Sequence, residues 1–486
     1  MTPATLPARD ARGPIAVPIG AGDRGRLVRY ATEARRRATR GHHRQVLAAI
    51  TVDGPQGLDV AAVVTCGRMP REPWTVYEQR ERRGQALATL GTVVAIEASG
   101  PRRFRTVSDR WSQLTAHAIT DLGTGQEAEG VVAVGGFAFA DDGARSPVWE
   151  DFRSASLHVP LLSLATTAGR VRATVTVAIG PDDDPESRVD AALRRVAQLR
   201  PARPPLLDPD PVQRGRVASV LSPAHYEDAV ARSVQAIRAG EMEKIVLARE
   251  VQVTGRPTPD PAAMIGVMRE AYDGCCVVGV GRGDKSFVAA TPELLLRRHG
   301  HRVATLALAG TTGRSSDPAV DVHLGEHLLR SPKNREEHAI VVRRILDRLD
   351  GVALWTTAGE QPEIVQAASV QHLATPIRAQ LAEAVGVLEL VERLHPTPAV
   401  GGFPEAATLA KIPALEGMDR GWYAGPVGWV DSAGDGDFSV ALRSALLEPE
   451  VAHCYAGVGV VADSDPAAEL AETEIKLQAL LPLLAA

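Results

Sequence analysis

The sequence predicts an α+β protein in two lobes, and three observations carry that reading. Short apolar runs bounded by glycine or charge recur along the 486 residues, as expected of many strands. Between them lie amphipathic stretches that open on helix-start residues. The third observation is PARPPLLDPDPVQ at 201–213, whose closely spaced prolines deny both helix and interior strand. It separates an N-terminal α/β lobe, residues 1–205, from a second region at 214–486.

In the first lobe QVLAAITV, TVVAIEA, VVAVGGFAFA and VRATVTVAI read as strands, with helices near 25–40, 76–88 and 185–199. After the break, Ser222 is placed to cap free amides and Pro223 suits a first helical turn, so SPAHYEDAVARSVQAIRAGEM begins a helix. EKIVLAREVQV follows as a strand, and CCVVGVG, FVAAT, ELLLRR, VATLAL, GPVGWV, FSVALRSALL and HCYAGVGVV read the same way. Further helices are expected at 257–272, 319–350, 376–385 and 466–482. The chain has no internal repeat and no low-complexity segment.

Composition excludes several function classes. A formal net charge of −5 gives no global reason to bind nucleic acid or an anionic membrane, so an anionic substrate has to be met by local positive groups. The basic run after Glu33 lacks interleaved aromatics and reads as a solvated helix face. The cysteines Cys66, Cys275, Cys276 and Cys454 form no spaced framework, and the adjacent pair has poor geometry for a disulfide, which points to a reducing compartment. No signal-like or membrane-spanning apolar run is present, and the expected location is the cytoplasm. Gly20, Gly22 and Gly25 spell GxGxxG, and Gly457, Gly459 and Ala462 spell GxGxxA. Neither pattern has the following acid of a dinucleotide-binding unit.

Several residue patterns bear on chemistry. Glu469, Glu472 and Lys476 fall at i, i+3 and i+7, on one face of the last long helix. Alone, such a face reads as solvated. Glu337 on a separate helix adds a second carboxylate source, and oxygen ligands from two helices suit a hard cation that keeps several waters, such as Mg²⁺. No Cys or His cluster has zinc spacing. Lys244 opens an otherwise apolar strand, where an amine is costly unless it is paired or useful, or else snorkels to solvent. Glu293 in TPELLLRR reads alone as a strand-end carboxylate, Arg443 as a strand arginine with a donor fork for a carboxylate, and His372 as a histidine satisfied within the structure.

Taken in order, EKIVLARE, TPELLLRR, ALAGTTGR, SPKNREEH, QHLATP, LHPTPAVGGFP, ALRSALL, CYAGVGVV and AELAETEIKLQ form a specific set. The set resembles the chorismate-binding enzymes, the family of isochorismate, salicylate and anthranilate synthases, and most closely the isochorismate synthases. The resemblance is strong over roughly 215–486 and loose before it. It implies two lobes of largely antiparallel sheets packed together with helices outside, chorismate as substrate, Mg²⁺ as cofactor and a monomeric protein. It also implies roles. Lys244 is the base that activates water, and Glu293 is the acid that protonates the departing hydroxyl. Glu337 and Glu472 hold the metal, with Glu469 close by. Arg443, Tyr423 and the Gly457 amide hold the enolpyruvyl carboxylate, while Gly310, Thr311 and Lys476 serve the ring carboxylate and His372 lies near the ring hydroxyl. A base has to be neutral and an acid has to keep its proton, so Lys244 and Glu293 are not expected to pair with each other. Salicylate synthase, which goes on to eliminate pyruvate, is the rival, because Tyr423 and Leu442 suit it too. LHPTPAVGGFP and DRGWYAGPVGWVDSAGDGDF favour isochorismate synthase, with Asp437 a departure from the more usual glutamate. Lys244, and IVVRRILDRLDGV in place of the usual LVDxxRND stretch, argue against anthranilate synthesis. A silent binding subunit would lack the base, acid or metal ligands, and all are present. The product would feed menaquinone or siderophore synthesis.

Overall fold

The computed structural model describes residues 16–122, 128–208, 211, 213–367 and 370–485. Its layering is visible along the strand Val46–Asp53, where Leu47 and Ala49 face one core while Val46, Ala48 and Ile50 face another. That two-residue period belongs to a strand buried on both sides. The first core lies between two sheets, joining Leu47, Phe287 and Val278 of one to Val134, Val427 and Phe438 of the other. The second core packs the outer face of the larger sheet against helices that include Ala21–Gly41, Val60–Gly67 and Pro261–Ala271.

Among the described residues the larger sheet has 13 strands and the smaller 10. Both draw on either side of the proline-rich stretch: Trp74–Gln79 pairs with Cys276–Arg282, and Val132–Phe137 with Pro426–Asp431. The described pairings are antiparallel apart from Val46–Asp53 beside Ile119–Thr120. The fold is the expected α+β arrangement of largely antiparallel sheets packed together with helices outside.

Some elements differ from the sequence reading. Residues 76–88 form a hairpin, Trp74–Gln79 and Gln85–Leu90, instead of a helix. Val76 and Ala88 face one core and Tyr77 and Leu87 the other, so the period is two, and the charged run that resembled a helix face is the turn, closed by positive φ at Arg83 and Gly84. The helix expected at 376–385 is the end of the strand Val370–Leu381. Pro376 fits there because it falls where one partner strand, Ala353–Ala358, gives way to another, Glu363–Ala367, and no ladder needs its missing N–H. The long helix expected at 319–350 is two, Pro318–Arg330 and Pro332–Asp350, divided at Ser331, which caps the second by accepting from the Asn334 amide.

Two chain crossings between the sheets position the site. The chain leaves the larger sheet after Lys285–Thr291 and enters the smaller at Leu294–His299, passing through Glu293. It returns between Gly436–Val440 and Ser444–Leu447, passing through Arg443. The crossings are tied together: Val440 N donates to Glu293 O at 3.0 Å, Thr291 Oγ1 to Val440 O at 2.7 Å, and Ala290 N to Arg443 O at 3.1 Å.

A buried ion pair braces the same region. Arg420 Nε donates to Glu416 Oε2 at 2.9 Å, while its Nη1 and Nη2 reach the carbonyls of Val400 and Val246 at 2.8 and 2.9 Å. Glu416 accepts from the Ala248 amide at 2.7 Å. Removing one partner strands the other charge, so Glu416→Ala is expected to cost about 3–5 kcal/mol in denaturant unfolding. The double change Glu416→Leu with Arg420→Met should cost less than Glu416→Ala alone. A single variant that unfolds like wild type would show that the brace carries no stability.

Candidate active site

Lys244 begins the strand Lys244–Thr254, paired at its first residues with Gly402–Phe403 on one side and with Ala452–Val460 on the other. Its side chain has no solvent exposure, and Nζ lies 2.9 Å from Glu337 Oε1. The contact is an ion pair by distance without the alignment of a hydrogen bond, so the buried amine keeps unused donors. The pair needs the bare backbone of Gly459, where a Cβ would overlap Glu337 Oε1 and come within 2.9 Å of Lys244 Cε.

Glu337 sits on the helix Pro332–Asp350, one turn after Lys333. Lys333 Nζ donates to Glu469 Oε1 at 2.9 Å, across to the helix Pro466–Leu477. That helix is capped by Asp465, which accepts from the Ala468 amide. On its next turns Glu472 pairs with Lys476 at 2.8 Å, and Lys476 Nζ also donates to Gly457 O at 2.9 Å. The three acids of the metal expectation are therefore each engaged by a lysine. All three line one cavity and offer only oxygen, the donor chemistry a hard divalent cation requires. Among the described residues no three such groups are drawn together as a preformed metal site.

Glu293 faces the same cavity from the first crossing and is 4% exposed. Burial pushes its carboxyl up to about 8, against the opposing pull of Lys244, Arg443 and Lys476. It is a protonated acid at neutral pH. Among the described residues no ion pair joins it to Lys244.

Arg443 occupies the second crossing at φ 47°, a left-handed backbone that costs a non-glycine residue about 1–3 kcal/mol and recurs at functional sites. Its Nη2 donates to His372 Nε2 at 3.2 Å, and its buried Nε has no partner. An arginine cannot accept, so His372 carries its proton on Nδ1, which lies 3.3 Å from Gly310 O and 3.2 Å from Thr311 Oγ1. Burial, and then Arg443, hold the imidazole well below its ordinary pKa, so it is neutral. Gly310 has φ 77° at a bulge, where the register shifts between Ala309 and Thr311. Tyr423 stacks on Tyr455 at 5.3 Å, and burial raises its phenol to about 12. A Cβ on Gly457 would stand 2.9 Å from Tyr423 Oη.

Glu293, Gly310, Thr311, Glu337, His372, Tyr423, Arg443, Gly457, Glu469, Glu472 and Lys476 thus line one cavity, and Lys244 lies behind its wall against Glu337. The sequence reading missed Lys333, although it stands four residues before Glu337 on the same helix face. It also missed Gly459, which the GxGxxA pattern had only set aside, and Arg420, which lines the cavity as well.

The sequence profile described as chorismate binding enzyme matches residues 33–485. The chain belongs to the chorismate-binding enzyme family. Among relatives, the salicylate biosynthesis isochorismate synthase of Pseudomonas aeruginosa is 38% identical over 420 residues, covering 85% of each chain. Isochorismate synthase MenF of Bacillus subtilis is 33% identical over 389 residues, 79% of this chain and 81% of the relative. In fold, the menaquinone-specific isochorismate synthase MenF of Escherichia coli superposes with a TM-score of 0.75 at 24% identity, over 93% of this chain and 99% of the other.

The raised carboxyl of this chorismate-binding enzyme has a cost in stability. Its pKa is 4.5 in the ordinary state and about 8 when folded, so the folded protein takes up a proton between those values. That contribution is present below 4.5 and lost as pH rises through about 8. The neutral isostere Glu293→Gln should therefore gain melting temperature over wild type, by a margin that grows from about pH 5.5 to about pH 8.5. A constant margin, or one that shrinks with pH, would mean that the folded carboxyl is ionised.

Proposed function

We propose that this protein is an isochorismate synthase, interconverting chorismate and isochorismate. The observation that carries the reading is a buried lysine and a protonated glutamic acid at one cavity, with Arg443 lacking a carboxylate partner among the described residues. The names of the relatives at 38% and 33% identity point the same way.

In the forward direction Lys244 accepts a proton from water, whose oxygen bonds to ring carbon 2. The ring double bonds shift, the bond from carbon 4 to its hydroxyl breaks, and Glu293 supplies the proton that lets it leave as water. The base gains one proton and the acid loses one, so the pair is reset by moving a proton back. Arg443, Tyr423 and the Gly457 amide hold the enolpyruvyl carboxylate, with the arginine fork matching its two oxygens. The Gly310 and Thr311 segment and Lys476 meet the ring carboxylate, and neutral His372 lies near the ring hydroxyl without adding charge. Glu337, Glu469 and Glu472 would hold Mg²⁺, which supplies positive charge to the ring carboxylate. Cys66, Cys275, Cys276 and Cys454 form no disulfide among the described residues, which supports a reducing, cytoplasmic setting. The product would feed menaquinone or siderophore biosynthesis.

Purified protein given chorismate and Mg²⁺ should yield an equilibrating mixture of chorismate and isochorismate by chromatography, and chelation should stop it. Lys244→Ala and Glu293→Gln should each lower turnover by about 10²–10⁴-fold. Accumulating salicylate and pyruvate, beyond unaided breakdown of isochorismate, would replace this reading with salicylate synthase. Chorismate binding without turnover would make the chain a binding subunit and remove the base role of Lys244.

A further inference from the structure

The helix Pro318–Arg330 carries a carboxylate that the proposed chemistry does not use. Asp321 is buried and lies outside the cavity wall, yet several donors converge on it. Ser315 N donates to Oδ1 at 2.9 Å, and Arg314 Nε lies 3.0 Å from both oxygens. Gln371 Nε2 donates to Oδ1 at 2.9 Å and Gln366 Nε2 to Oδ2 at 3.3 Å. Gln371 Nε2 also reaches the Asp321 carbonyl at 2.8 Å. One residue thus ties the chain leaving the strand Arg302–Gly313 to the strands Val370–Leu381 and Glu363–Ala367.

The helix is shaped for this contact. Gly325 stands one turn after Asp321, and a Cβ there would come within 2.7 Å of Gln371 Oε1. Glycine is unfavourable inside a helix, and here its bare backbone admits the glutamine.

What the contact fixes lies on the other face of the strand. Successive strand residues point to opposite faces, so Gln371, held against the helix, directs His372 into the active-site cavity. Beyond the bulge at Gly310 the ladder consists of three pairs, Thr311 with His372, Thr312 with Gln371 and Gly313 with Val370. Without the bulge Gly310 would meet His372, and Thr311 would meet Gln371 on the face turned from the cavity. A ladder end this short depends on what grips its two strands. Asp321 grips both, through Arg314 and Ser315 at the end of one and Gln371 on the other.

We infer that Asp321 is a positioning residue of the active site: by latching Gln371 and the Arg314 to Ser315 segment, it holds Thr311 and His372 in the register that faces the substrate. The inference rests on the isochorismate synthase reading, in which the Gly310 and Thr311 segment meets the ring carboxylate. That contact is made to substrate and transition state alike, so loosening it raises KM more than it lowers kcat.

Asp321→Asn keeps the size of the side chain but puts an amide donor among donors. It should raise the chorismate KM by about tenfold or more with kcat within about threefold. It should also speed hydrogen exchange over residues 310–316 and 370–374. Gln371→Leu should do the same, and the double variant should exceed the larger single effect on KM by no more than about twofold, because the two side chains make one contact. Asp317→Ala is the structural control. It removes the cap of the same helix, where Asp317 accepts from the Ala319 and Val320 amides, and should leave KM within about twofold. An unchanged KM in Asp321→Asn or Gln371→Leu, fully additive effects, or an equal rise in Asp317→Ala would each overturn the inference. Exchange that is no faster in Asp321→Asn would overturn it without any substrate present. A wild-type protein that binds chorismate without turning it over fails the synthase reading alone, and the dissociation constant then takes the place of KM in the same comparison.

Discussion

A lysine with no solvent exposure is the constraint around which the pocket is organised. Placing an ammonium inside a protein costs several kcal/mol unless an opposite charge is brought to it, and the structure brings Glu337 to Lys244. That one contact dictates much else. The helix Pro332–Asp350 has to lie against the sheets so that Glu337 turns inward while Glu336 stays exposed. The neighbouring strand has to pass with bare backbone at Gly459, because a side chain there would occupy the space of the pair. The strand just after Lys244 has to be fixed as well, which the Glu416–Arg420 brace does through Val246 and Ala248.

The second organising feature is the exchange of strands between the sheets. A residue at the end of a strand inside one sheet points to a face already filled by neighbours, whereas a residue at a crossing is released from the ladder and turned into the gap. Glu293 and Arg443 occupy the two crossings, and the bonds among Val440, Thr291 and Ala290 hold those crossings to each other. The acid and the arginine are therefore set in relation by backbone, which is stiffer than two long side chains meeting by their tips. The left-handed φ of Arg443 is what this placement costs.

These two features were legible in the sequence to different degrees. The face shared by Glu469, Glu472 and Lys476 follows from helical spacing, because a helix makes neighbours of residues three, four and seven apart. Lys333 and Glu337 obey the same rule. The pairing of Lys244 with Glu337 obeys no local rule, since it joins a strand to a helix distant in the chain. Lys244 stood out only as an improbable amine in an apolar run. Arg420 stands four residues after its ion-pair partner Glu416, a visible spacing, but its other partners Val400 and Val246 are backbone carbonyls, which no residue type announces. The hairpin at 74–90 and the strand through Pro376 were misread because charge and length imitated helices, while the deciding facts, two buried faces and a change of partner strand, belong to the assembled sheets.

Charge balance connects the pairs to the proposed chemistry. In the pocket three lysines face three glutamates, Glu293 keeps its proton, and Arg443 has no carboxylate partner among the described residues, which leaves one net positive charge. A dianion entering alone would turn that into one net negative charge in a poorly solvated space. A dianion entering with a divalent cation would leave one net positive charge, and loss of a single proton would then bring the pocket to neutrality. A cation engaging Glu337 would also take away the carboxylate that now compensates Lys244, so the charges of the metal, the substrate and the buried amine have to be balanced together.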